Sequence, residues 1–195
     1  MSTVLGEHKG RPCVLVESRP EWRAWLAEHH ATSGTIWLAR WKKGSGRPHL
    51  EYDDLVEEAL CFGWIDSTVN AYDEDRSVVL VAPRKKGGTW SRVNKERLVR
   101  LEAAGLLAPP GIAVIEAAKA DGSWSLLDDA EALVVPPDLA AGLAAHAELA
   151  AVWDAQTPGR RKVALSQLAL AKTDATRRKR LDKILAMLGE GRLEY

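Results

Sequence analysis

Apolar residues recur at helical spacing in some stretches of the chain and alternate in others, and these two periods separate its elements. In residues 19–30, Trp22, Trp25 and Leu26 fall at i, i+3 and i+4. Ser18 stands where a cap belongs, and Pro20 and Glu21 suit a first turn, so the pattern predicts a helix. Residues 35–41 are rich in β-branched and aromatic side chains, with Trp37, Ala39 and Trp41 on one face and Ile36, Leu38 and Arg40 on the other. A strand apolar on nearly both faces is expected there. A basic, glycine-bearing loop leaves it at residues 42–48.

A second helix is expected from near Asp53 to Gly63, with Leu55, Ala59 and Phe62 as its buried stripe. Asp53, Asp54, Glu57 and Glu58 are favourable towards its positive N-terminal end. Residues 65–72 and 77–82 read as two strands joined through the charged turn 73–76, a hairpin. Ser91 and Asn94 then mark the start of a helix carrying Val93, Leu98 and Leu101, closed by Gly105. After Pro109-Pro110-Gly111 the composition turns alanine-rich, and residues 112–120, 137–146, 148–155, 162–172 and 174–188 suit helices. In the last, Leu181, Ile184, Leu185 and Leu188 oppose Arg177, Arg178, Lys179 and Lys183. The expectation is an α+β protein: a small mixed sheet with helices over residues 1–105, carrying the site, and a helical region over 106–195 packed on it as one unit.

The chain has 195 residues, 27 Lys+Arg against 27 Asp+Glu, and 46% hydrophobic residues. A chain of this length buries roughly 70% of its unfolded surface without a disulfide or metal staple. Zero net charge removes the global case for a polyanion-binding protein, leaving only local patches. Cys13 and Cys61 read as free thiols, and the absence of an apolar N-terminal region or an 18-residue apolar run predicts no signal peptide, no membrane span and a cytoplasmic protein. Histidines 8, 29, 30, 49 and 146 lack metal-binding spacings, so no metal site is expected. Walker, G-x-G-x-x-G and G-x-S-x-G motifs are absent, and no cofactor is expected.

Two segments carry candidate chemistry. In residues 57–66, Glu58 and Cys61 share a helix face, and Trp64 and Asp66 share strand parity just beyond. Asp66 or Glu58 suits a general base or hydrogen-bonding anchor, Cys61 a weaker nucleophile candidate, and Trp64 an aromatic wall. The competing reading makes Cys61 and Trp64 core residues and Asp66 a turn cap or an arginine's partner. The second segment, residues 84–100, holds seven cations against the single acid Glu96, and its glycine loop enters a helix N-terminus, an arrangement suited to an anion. A solvated helix face balanced by the acidic runs explains it equally well.

The strings Gly34-Thr-Ile-Trp37, Lys42-Lys43-Gly44, Ala59-Leu-Cys-Phe-Gly-Trp-Ile-Asp66, Pro83-Arg84, Trp90-Ser91 with Asn94, Gly111-Ile-Ala113 and 117–124 resemble the YdeI/OmpD-associated, bacteriocin-protection family over residues 34–188. The loop 85–89 departs from that family's pattern, with Lys and Gly pairs in place of Arg, Pro and Ser. The resemblance implies a cytoplasmic α+β protein with a helical C-terminal region and a stress or bacteriocin-protection role, without a settled reaction. The leading reading is a pocket for a small, anionic, partly apolar ligand. Arg84 pairs with the anion, Ser91 and Asn94 bind beside it, Trp64 and Trp90 wall it, Asp66 orients Arg84 or a ligand hydroxyl, and Lys42 and Lys43 form the rim. One alternative is a cofactor-independent acid/base enzyme using Asp66 and Glu58. The other is nucleic-acid binding through the basic helices, with Trp90 stacking on a base. No oligomeric state follows from the sequence.

Overall fold

A computed structural model describes residues 2–194, and its five strands form one mixed sheet in the order β1-β2-β3-β5-β4. These are β1 (Thr3–His8), β2 (Arg11–Leu15), β3 (Ile36–Trp41), β4 (Trp64–Ala71) and β5 (Arg76–Pro83). β2 and β3 run parallel, joined by α1 (Arg19–His29), and the other pairings are antiparallel. α2 (Tyr52–Cys61) leads into β4, and α3 (Arg92–Ala103) and α4 (Pro109–Ala120) follow the β4–β5 hairpin. The α+β class, the 35–41 strand, the hairpin and these helices match the sequence pattern.

The β1–β2 hairpin does not emerge from that pattern. Its two-residue turn is Lys9-Gly10, both at positive φ (49° and 71°), so the Asn-Gly or Asp-Gly signal of such turns is missing. β1 is also mostly exposed, which removes apolar alternation as a guide.

The two faces of the sheet differ. Ile36, Leu38 and Arg40 of β3 pair with Val81, Val79 and Ser77 of β5, and Asp66 of β4 lies opposite Val81. This face meets α2, which packs against β4, α1 and α4. Trp22 and Leu26 of α1 are completely buried, and the Trp22 indole N–H donates to the Leu55 carbonyl at 3.0 Å. On the other face Cys13, Leu15, Trp37, Ala39 and Val78 form a separate apolar cluster, with Leu5, Trp41, Tyr72 and Leu80 packed against it. Among the described residues, no helical one belongs to that cluster. The sheet coils over it until His8 of β1 lies 5.2 Å from Tyr72, just past the end of β4.

Two glycines fix the junction of α2 with β4. Gly63 adopts φ 73°, the left-handed conformation that ends a helix cheaply only in glycine. Gly111, in the first turn of α4, stands so close to the end of α2 that an added Cβ would lie 2.1 Å from the Cys61 carbonyl oxygen. The Ala108 N–H donates to that same carbonyl at 3.1 Å.

The chain divides into two compact units. The first holds the residues up to Gly88 and Val93–Asp121; the second holds Thr89–Arg92 and the residues from Gly122 on. The second contains α5 (Asp128–Glu131), α6 (Pro137–Ala144), α7 (Ala147–Asp154), α8 (Pro158–Ala169) and α9 (Asp174–Gly189). α8 starts four residues before the expected 162, because Thr157 caps it and Pro158 takes its first position. Leu139, Trp153, Leu165, Leu168, Ile184 and Leu188 are its main core residues, with Leu181 and Leu185 half-buried beside them. Arg177 of α9 clamps Asp138 of α6 through two hydrogen bonds at 2.7 and 2.8 Å, and donates to the Leu168 carbonyl at 3.1 Å.

Gly111→Ala is expected to destabilise the protein by about 3 kcal/mol through this backbone clash, read as a lowered denaturation midpoint. Gly159→Ala meets nothing within 4 Å and serves as the control, within about 0.5 kcal/mol of wild type.

Candidate functional site

The acidic helix α2 carries two polar clusters, and the chemistry expected of residues 57–66 divides between them. The first joins α2 to α1. Glu58 is 2% exposed, yet both carboxylate oxygens are occupied: Oε1 accepts from Arg19 Nε and Oε2 from Arg23 Nη1, each at 2.7 Å. Arg19 also reaches Asp54 at 2.7 Å and Glu57 at 3.0 Å, and Arg23 donates to the Leu106 carbonyl at 2.8 Å. A buried carboxylate held by two guanidiniums is what burial of charge demands, and it ties α1, α2 and the segment before α4 together. Cys61 is buried beside it, and desolvation together with the Glu58 charge pushes its thiol up to about 11, far from a reactive thiolate.

The second cluster lies at the other end of α2, over the sheet. The Tyr52 hydroxyl, at the first helical position, donates to Asp66 Oδ2 on β4. Arg84, one residue past β5, stands within electrostatic reach of the same carboxylate. Burial lowers the Arg84 guanidinium to about 10, and the attraction of Asp66 only partly opposes that. Arg40 of β3 lies 5.7 Å from the centre of the Tyr52 ring and donates to the Leu50 carbonyl at 2.8 Å. Arg97 of α3 holds Asn94 at 3.1 Å and Asp53 at 2.5 Å, fastening α3 to the start of α2. Burial and the bond to Asp66 raise the Tyr52 phenol to about 12, and the positive charges of Arg97 and Arg40 act the other way. A phenol, a carboxylate and several guanidiniums, all half-buried, thus converge on one face of the sheet. Such a set can bind an anion or exchange a hydrogen bond with a bound hydroxyl.

Of the residues singled out by sequence, Asp66 and Arg84 come together. Glu58 and Cys61 form the other cluster and share no hydrogen bond with Asp66 among the described residues. Trp64 is 1% exposed and packs edge-on against Trp25 at 5.9 Å, a core position. Lys42 and Lys43 follow the end of β3 remote from the row of Asp66, although Lys43 reaches Glu51, the residue before Tyr52. Lys42 Nζ donates to the carbonyls of Asp73 and Glu74, and Lys43 pairs with Glu51 at 2.9 Å. Asn94 sits beside Arg97 in the first unit. Trp90 and Ser91 belong to the second, where Trp90 packs on Trp124 with ring centres 5.0 Å apart. Tyr52, Arg40 and Arg97 enter the cluster from a helix start, a strand and α3. No spacing along the chain signals that meeting.

Among the described residues, no group of three or more His, Cys, Asp or Glu is placed to hold a metal, and no helix is long and apolar enough to cross a membrane. The fold and cluster define a two-unit α+β protein with a polar site over its sheet. Residues 14–114, slightly more than half of the chain, match the family model described as a domain of unknown function, DUF8412. Residues 132–191 match the model of the bacteriocin-protection, YdeI or OmpD-associated family, OmdA. The chain belongs to the DUF8412 family and carries an OmdA domain in its helical unit. The candidate site lies entirely within the DUF8412 segment, as does the 59–66 string that resembled the OmdA family. No curated protein and no solved structure gives a significant match.

Because the Tyr52 pKa is raised, its neutral phenol contributes stability that is fully present below pH 10 and lost as pH rises through about 12. Ultraviolet titration of wild type minus Tyr52→Phe should therefore show a phenolate step near 12, and Asp66→Asn should move that step towards 10.

Proposed function

We propose that this protein binds a small, partly apolar anion at the Tyr52–Asp66–Arg84 cluster. The observation that carries the reading is the position of Arg84. Its guanidinium is buried deeply enough to weaken its charged form even beside Asp66, so an incoming carboxylate or phosphate gains a charge-assisted partner there. The Tyr52 hydroxyl, bonded to Asp66, offers an acceptor lone pair next to it, and the half-buried Tyr52 ring supplies apolar surface. Arg40 and Arg97 add positive potential around Tyr52. Glu58, engaged by two arginines, serves as the fastening of α1 to α2, so acid/base chemistry at this site falls to Asp66 and Tyr52. The OmdA domain supports a role for this binding in bacteriocin protection, which we place in the cytoplasm.

A thermal-shift screen against carboxylates and phosphates, at low and moderate salt, tests the proposal. A ligand at 100 times its Kd adds about 2.7 kcal/mol, a shift of several degrees for a chain of this size. Arg84→Ala is expected to remove that shift while Lys43→Ala keeps it; a shift of full size in Arg84→Ala refutes the site.

A further inference from the structure

The face of the sheet turned away from α2 carries a run of side chains in which aromatic rings and cations are stacked on one another. Lys9 Nζ lies 5.7 Å from the centre of the Trp37 ring, and His8 meets Trp37 edge-on at 5.2 Å. His8 also meets Tyr72 at 5.2 Å, and the Arg76 guanidinium lies 4.7 Å from the Tyr72 centroid and 5.3 Å from that of Trp41. Arg47, on the exposed loop after β3, lies 5.5 Å from Trp41. The run thus crosses from the β1–β2 turn over β3 to the β4–β5 hairpin. It roofs the apolar cluster that no helix contributes to.

Three features separate this surface from an ordinary core edge. Trp41, Tyr72 and Arg76 are only half-buried, and Lys9 and Arg47 at the two ends are exposed. Arg76 is fixed by two bonds to Asp73, at 2.8 and 2.5 Å, which hold its plane in the stack. Trp37 is 5% exposed, yet its indole N–H has no hydrogen-bond acceptor, and the buried Nε2 of His8 next to it has no partner either. A ligand that fits must offer flat rings to stack on aromatic and guanidinium planes and negative charge for Lys9 and Arg47.

We infer that this face binds single-stranded nucleic acid. Bases stack on aromatic side chains and on arginine planes irrespective of sequence, and phosphates follow the flanking cations. A base that takes the place of Arg47 over Trp41 leaves that guanidinium to the adjoining phosphate. A duplex, with its bases already paired and stacked, gains only the charges. The surface is distinct from the anion site, since it lies on the other face of the sheet from Asp66. It also involves neither the basic segment 84–100 nor α9.

The test is fluorescence anisotropy of a labelled oligothymidylate of about twelve nucleotides, titrated with the full chain between about 50 and about 200 mM salt. Binding is expected to weaken with salt. Arg47→Ala, on an exposed loop where the fold does not depend on it, should lower the slope of log K against log salt by about 0.7. Trp41→Leu, with its melting checked against wild type, should weaken binding about tenfold. Arg84→Ala should leave binding unchanged, which separates this surface from the anion site. The inference is overturned by no binding at the lowest salt, by binding insensitive to both Arg47→Ala and Trp41→Leu, or by binding lost instead when Arg178 and Lys179 on α9 are changed to alanine. Equal affinity for a duplex of the same length overturns it as well.

Discussion

The abrupt passage from α2 into β4 is the constraint on which the first unit is built. Only Phe62 and Gly63 separate the last residue of the helix from the first of the strand, and Gly63 makes the reversal by adopting a left-handed conformation. The start of α4 is seated on the last carbonyls of α2 because Gly111 has no Cβ to keep it away. Helix and strand are thereby held at a fixed angle. Trp64 is driven into the core against Trp25, and Asp66, two residues on, emerges under the Tyr52 hydroxyl at the far end of the helix. The string of residues 59–66 is in this light a packing signature first, and a site signature only at its last member.

Charge is distributed in the same spirit. The chain carries as many cations as acids, yet its buried charges are not interchangeable. Glu58 is neutralised from two sides by Arg19 and Arg23, and every oxygen it has is committed, so it makes a joint between two helices. Arg84 is buried beside a carboxylate that already accepts a bond from Tyr52, and its environment favours more negative charge. The same residue types therefore fasten helices at one end of α2 and gather beside a phenol over the sheet at the other.

The two faces of the sheet divide the molecule's polar chemistry. One meets α2, with the Tyr52–Asp66–Arg84 cluster at its rim; the other carries an apolar cluster lined by stacked rings and guanidiniums. Cys13, Ala39 and Val78 are completely buried on that face. The helical unit, with its OmdA domain, has a separate core built on Trp153 and the leucines of α6, α8 and α9.

Local pattern determined much of this. The spacing of Trp22, Trp25 and Leu26 specified α1, the β-branched and aromatic run specified β3, the charged turn between two apolar runs specified the β4–β5 hairpin, and the stripe of Leu181, Ile184, Leu185 and Leu188 specified α9, because each signal sits within a dozen residues. The β1–β2 hairpin was not legible, since Lys9-Gly10 is an uncharacteristic turn and its outer strand is exposed. Asp66 and Arg84 were legible as candidates by residue type and by their places at element ends. Tyr52 was not, nor was the separation of Glu58 and Lys42 from Asp66, nor the core position of Trp64. Those depend on which ends of which elements meet across the sheet, and contacts between residues 14 to 44 positions apart are set by packing and register, which no local periodicity encodes.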